Sequence, residues 1–128
     1  MEGKSIITTD RAPAAIGPYS QAVGAGDFLF LSGQIALDPA SGQMVGDDAA
    51  AQAAQALNNI AALLSAAGLT LAAVVKSTIF LADMADFAAV NDVYGRHFPV
   101  DPPARSTVAV RELPKGALVE IEVVAWKG

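Results

Sequence analysis

The chain has 128 residues, 53% hydrophobic and only 16% charged, with a formal net charge of −5 and no cysteine. That length predicts a single domain, 1–128, able to bury ~70% of its unfolded surface without staples. The missing cysteines exclude disulfides, thiolate catalysis and cysteine–zinc sites. The acidic balance argues against a general grip on nucleic-acid phosphates, though not against a small local basic patch.

The start Met1-Glu2-Gly3-Lys4 leads straight into the strand-like Ser5-Ile6-Ile7-Thr8-Thr9, with no charged start and apolar core of a signal peptide. No apolar run is long enough to span a bilayer, so a soluble cytoplasmic protein with no membrane partner is expected. Two strands follow, Tyr19 to Ala25 and Phe28 to Ile35, joined by the turn Gly24-Ala25-Gly26-Asp27. Asp38-Pro39-Ala40-Ser41-Gly42 is a loop of turn formers, and Asp47-Asp48 offers caps for a helix from Ala49 to Ala67. Leu57, Ile60, Ala61 and Leu64 form its apolar stripe, and Gly68 stops it. Ala73 to Leu81 reads as a β-branched strand. Asp86 can cap a second helix with Phe87, Val90, Asn91, Tyr94 and Phe98 on one face, ended by Pro99 and Pro102-Pro103. Arg105 to Val110 and Leu118 to Trp126 are the last strands, separated by the turn Leu113-Pro114-Lys115-Gly116.

The order β-β-β-α-β-α-β-β permits right-handed crossovers around each helix, with antiparallel hairpins at both ends. It predicts an α+β fold: a mixed sheet with two helices on one face. The other face then has no helix to cover it, and burial against other subunits is expected. The high apolar content fits that interface, or simply an alanine-rich composition.

Few residues stand out as chemistry. Arg105 sits at the mouth of an apolar strand, where its planar donor fork suits a carboxylate; the plain alternative is a solvated arginine in a surface ion pair. In Val119-Glu120-Ile121-Glu122-Val123, alternation places both glutamates on one face. Glu122 reads as the solvated side of an edge strand, whereas Glu120 reads either so or as a carboxylate that orients or deprotonates water. Arg105 and Glu120 share a face only in some registers; otherwise a pocket must collect them from different subunits. Asn91 falls in an apolar stripe and needs partners, from a loop or a ligand. Tyr19 could close over a small ligand or pack in the core. Gly33, in Ser32-Gly33-Gln34, admits a close neighbour or marks a bulge. Gly24-Ala25-Gly26 lacks the context of a nucleotide fingerprint. His97, the lone histidine, has no nucleophile motif beside it and cannot by itself build a metal site.

Together, Ala14-Ala15-Ile16-Gly17-Pro18-Tyr19-Ser20-Gln21-Ala22-Val23, Leu31-Ser32-Gly33-Gln34-Ile35, Val90-Asn91-Asp92-Val93-Tyr94, Pro103-Ala104-Arg105-Ser106, Leu113-Pro114-Lys115-Gly116 and Val119-Glu120-Ile121-Glu122 resemble the RidA (YjgF/YER057c/UK114) family nearly end to end. The resemblance implies a chorismate-mutase-like protomer, a homotrimer with pockets between subunits, and no cofactor or metal. It implies hydrolytic deamination of reactive 2-imino acids, the products of PLP-dependent dehydratases, to 2-oxo acids and ammonia. Arg105 matches the arginine that binds the substrate carboxylate. Tyr19, Ser32, Gly33, Asn91 and Glu120 match positions at or near the pocket, with Glu120 ordering the attacking water. Thr107 stands where many members carry cysteine, so only a role of its backbone carbonyl would survive there. A trimer that binds 2-oxo or amino acids without turnover is the competing expectation. An endoribonuclease, an activity attributed to some relatives, fits the acidic balance poorly.

Overall fold

A computed structural model describes residues 3–128. Met1 and Glu2, the first residues of the expected leader-free start, lie outside the described residues. The strands are β1 (Ser5–Ile7), β2 (Ala22–Ala25), β3 (Phe28–Leu31), β4 (Val74–Leu81), β5 (Ala104–Ala109) and β6 (Val119–Trp126). The helices are α1 (Ala49–Ala66) and α2 (Phe87–His97). All six strands join one mixed sheet in the order β1-β2-β3-β6-β4-β5. Both helices lie on one face, as expected for α+β, and their side chains share one core with Leu29, Leu31, Ile79, Leu81, Val119, Ile121 and Val123.

Local chemistry explains α1. The Asp48 carboxylate accepts the Ala51 N–H at 2.8 Å, and a run of good helix formers follows. At the far end Gly68 takes φ +78°, while the N–H groups of Gly68 and Leu69 donate to the carbonyls of Ser65 and Leu64, closing the last turn as a Schellman motif. The buried stripe is Leu57, Ile60, Leu63 and Leu64; Ala61 lies at its margin. In α2 the buried residues are Val90, Val93 and Tyr94. The expected stripe is therefore rotated, and Phe87 and Asn91 are exposed on the side that flanks β5. Asp86 makes no cap bond; Asp83 instead accepts the Ala85 N–H at 2.9 Å in the 3-10 turn that leads into α2.

Only the C-terminal hairpin departs from expectation. The β2–β3 hairpin forms, but β5 and β6 make none: β4 lies between them, parallel to β5 and antiparallel to β6. The crossover through α2 lays β5 on one edge of β4, and the residues between β5 and β6 then step around the end of β4. Hydrogen bonds from Val110 N to Leu81 O and from Ala82 N to Leu118 O fasten that step. Consequently β6 is central rather than an edge strand, and Glu122 is exposed because no helix covers its face. That open face carries Ile6, Phe28, Phe30 and Trp126, each between 42% and 52% exposed. So much aromatic surface facing water is unusual for a stable monomer.

Candidate functional site

Strand parity divides the candidate residues between two places. Arg105 pairs in register with Ser77 of β4, and Glu120 with Phe80 of the same strand, three positions on. An odd offset puts the two side chains on opposite faces of the sheet. Arg105 and Thr107 therefore lie on the helix face, and Glu120 on the open face. One protomer does not bring Arg105 and Glu120 together.

Glu120 stands at a cleft of about 380 Å³ walled by Ile16, Tyr19, Ile35, Leu37, Pro114 and Lys115. Buried polar side chains build those walls. Gln21 donates to the carbonyls of Thr9, Ala12 and Pro13 and accepts the Thr9 N–H, holding the segment before Tyr19. Asn59 of α1 donates to the carbonyls of Ile35 (3.3 Å) and Leu37 (3.0 Å). Gln34 exchanges backbone bonds of 2.8 and 3.0 Å with Ile121, which sets Gly33 against Glu120. The close neighbour that Gly33 admits is that glutamate: a Cβ built on Gly33 would stand 2.5 Å from Oε2. Burial, and secondarily the charge of Glu122, hold the Glu120 carboxyl above the ordinary carboxylate range.

Tyr19 lies just before β2 rather than opening it; its exposed ring overhangs the cleft and its hydroxyl accepts the Ile16 N–H at 3.2 Å. Ser32 is not among the cleft walls. Its hydroxyl donates to the Ser20 carbonyl at 2.6 Å and its N–H to Gln21, so it ties two segments together.

Arg105 is the second residue of β5, one after Ala104 rather than its first, and it lines a second cleft, of about 420 Å³, with Asn91, Tyr94, Pro102 and Pro103. The surface ion pair does not form: among the described residues no carboxylate lies within 4 Å of the guanidinium. Instead its carbon sits 4.9 Å from the Tyr94 ring centroid and 5.8 Å from that of Phe87. Asn91 is exposed at this cleft, not buried in a stripe, and so needs no internal partner. The Thr107 hydroxyl is buried with no hydrogen-bond partner among the described residues.

Tyr94 and Lys115 are the cleft residues that sequence reasoning passed over. The sequence already put Phe87, Asn91 and Tyr94 on one face of the second helix, but only the position of β5 reveals what they face. Lys115 held a signal in Leu-Pro-Lys-Gly: the turn forces its φ to +57°, a left-handed conformation uncommon for lysine. Among the described residues no three His, Cys, Asp or Glu side chains are placed to hold a metal ion, and no helix is long and apolar enough to cross a membrane.

Residues 9–127 match the family model described as Endoribonuclease L-PSP. The 2-iminobutanoate/2-iminopropanoate deaminase of Bos taurus is 52% identical over 98% of this chain and 91% of its own. Among solved structures, the E. coli YjgF gene product superposes with a TM-score of 0.93 at 45% identity, covering 97% of this chain and 99% of that one. E. coli TdcF with bound serine superposes with a TM-score of 0.92 at 42% identity, covering 97% and 99%. With its motifs, its sheet order and these relatives in agreement, the chain belongs to the RidA (YjgF/YER057c/UK114) family.

Proposed function

We propose that the chain, acting as one domain in a homotrimer, hydrolyses 2-imino acids such as 2-iminobutanoate to 2-oxo acids and ammonia. The observation that carries this reading is the division of the site. A guanidinium with no carboxylate partner among the described residues, held against the Tyr94 ring, lies on one face of the sheet and a half-buried carboxylate on the other. Packing the open face of one subunit against the β5 edge of the next makes a single pocket of the two halves and covers the exposed aromatics. The deaminase name of the Bos taurus relative and the serine bound to TdcF, an amino acid with a carboxylate, support the substrate class.

In this reading Arg105 holds the substrate carboxylate by two parallel hydrogen bonds and so fixes C2. The protonated C=N bond is already electrophilic and needs no covalent nucleophile. Water adds to C2 while Glu120 orders it and takes its proton; the carbinolamine nitrogen receives a proton and leaves as ammonia while the C=O bond forms. Proton handling of this kind contributes ~10²–10⁴-fold. Tyr19 closes the pocket, and Asn91 and the Thr107 carbonyl line it beside Arg105. RNA cleavage, which the family description raises, finds no support in a net charge of −5 and a cleft walled mostly by apolar side chains.

The test supplies 2-iminobutanoate from threonine dehydratase with semicarbazide as trap. Wild type is expected to suppress semicarbazone formation, and Arg105→Ala and Glu120→Gln are each expected to fail. Unfolded together and reassembled, the two inactive variants should recover about a quarter of the sites, because a heterologous interface joins an intact arginine to an intact glutamate at that frequency. No recovery, with mixed trimers demonstrated by mass, refutes the shared site. Failure of wild type itself refutes the deaminase.

A further inference from the structure

Arg105 is an edge-strand residue, bonded through its backbone to β4 alone, yet among the described residues its side chain is held by aromatic rings rather than by a carboxylate. The contacts around it form a closed circuit. Its backbone partner in β4 is Ser77, which is fully buried. The Ser77 hydroxyl accepts a 2.8 Å hydrogen bond from the Tyr94 hydroxyl. Tyr94, a residue only 4% exposed, has its ring braced against Phe98 with centroids 4.6 Å apart and 4.9 Å from the Arg105 guanidinium carbon. The circuit thus returns to the residue where it began.

On this geometry we propose that Tyr94 is a positioning residue whose ring, anchored on Ser77, pre-orients the Arg105 guanidinium to take a carboxylate. The inference rests on the reading of Arg105 as the carboxylate anchor. A ring beneath a guanidinium carbon attracts its charge without placing a carboxylate on its N–H donors, which are the donors a substrate carboxylate needs. An acidic partner would fix the arginine equally well but would occupy those donors and compete with substrate. Phe87, at 5.8 Å, adds a second and looser aromatic contact. The Tyr94 hydroxyl serves as a brace rather than an acid: burial pushes its pKa up, against smaller opposing effects of Ser77 and the Arg105 charge.

Three variants test this on the assembled protein: Tyr94→Leu removes the ring, Tyr94→Phe keeps the ring and drops the brace, and Ser77→Ala removes the other end of the brace. Tyr94→Leu is expected to raise KM for 2-iminobutanoate ~10-fold while kcat changes less than ~3-fold, because the carboxylate contact is made in ground and transition states alike. Tyr94→Phe and Ser77→Ala should each raise KM ~3-fold, and together no more than either alone. The Arg105 Nε–H resonance, identified by its loss in Arg105→Lys, is expected to carry a ring-current shift that Tyr94→Leu abolishes and Tyr94→Phe retains. If Tyr94→Leu does not fold, the other two variants decide. An unchanged KM, a fall in kcat alone, or an Arg105 resonance indifferent to Tyr94 overturns the proposal. If wild type shows no turnover, the deaminase reading falls, and calorimetric affinity for 2-oxobutanoate replaces KM with the same expected ratios.

Discussion

Gly33→Ala isolates the carboxylate's position from its chemistry. The glycine's φ lies outside the left-handed region, so alanine fits the backbone. The added Cβ would stand 2.5 Å from Glu120 Oε2 and 2.9 Å from Cδ, where ordinary contact begins at 3.4 Å. The obstructing atoms are the end of a flexible side chain, so Glu120 yields and the strand does not. The carboxylate has to retreat by about 0.9 Å, and displacement of a catalytic group by ~1 Å costs ~10²-fold. We expect kcat to fall ~10²-fold with KM nearly unchanged, since Arg105, the proposed carboxylate anchor, lies on the opposite face of the sheet. Loss of unfolded-state freedom offsets the repacking, so stability should stay within about 1 kcal/mol, a few degrees in Tm. The semicarbazide-trap assay and a thermal melt measure both. A kcat above half of wild type would show that the placement of Glu120 does not set the rate; a collapsed melt would show that Gly33 is needed for the fold instead.

Three further expectations concern the same residue and the open face. If Glu120 works ionised, activity falls as pH drops through its raised pKa, and Glu122→Gln should move that acid limb to lower pH; a limb that does not move removes Glu122 from the account. The same shift gives a stability sign. A carboxyl with a raised folded-state pKa stabilises most below its unfolded pKa, ~4.3, and that contribution is lost as pH rises through the folded value. Glu120→Gln should therefore raise Tm at neutral pH, with a gain that vanishes in acid; an equal gain at both pH values contradicts it. Trp126→Asp places a charge on the open face. It is expected to reduce the light-scattering mass from three chains to one, each 13.0 kDa, and to abolish turnover while far-ultraviolet dichroism persists. An intact trimer places the interface elsewhere.

Much of this structure was legible because it is local. Asp48 and Gly68 bound α1 as caps do, and the alternation in β6 separates Val119, Ile121 and Val123 from Glu120 and Glu122 without any tertiary information. What sequence hid is pairing. Nothing in Arg105–Val110 or Leu118–Trp126 says that β4 comes between them, and the simple-turn assumption gave a hairpin where the loop steps over a strand. With the pairing unknown, the faces of Arg105 and Glu120 stayed undecided, and so did the surroundings of Asn91. Periodicity reported that one side of α2 is buried, but the edge of β5 beside it decides which residues reach water and which reach the guanidinium.

The central place of β6 bears on how the chain is made. Every other strand precedes it, and β3 and β4, which flank it, do not touch as ladder partners. During synthesis β1–β3 and β4–β5 can each pair within themselves, but the two halves have no common sheet until Val119–Trp126 emerges from the ribosome. Until then β3 and β4 each present an unpaired edge, a template for pairing with neighbouring nascent chains. Closure depends on contacts such as Phe28 with Trp126, distant in sequence and therefore slow to find. The fold thus completes from the middle and last, and its vulnerable interval is set by translation of the segment that ends in β6.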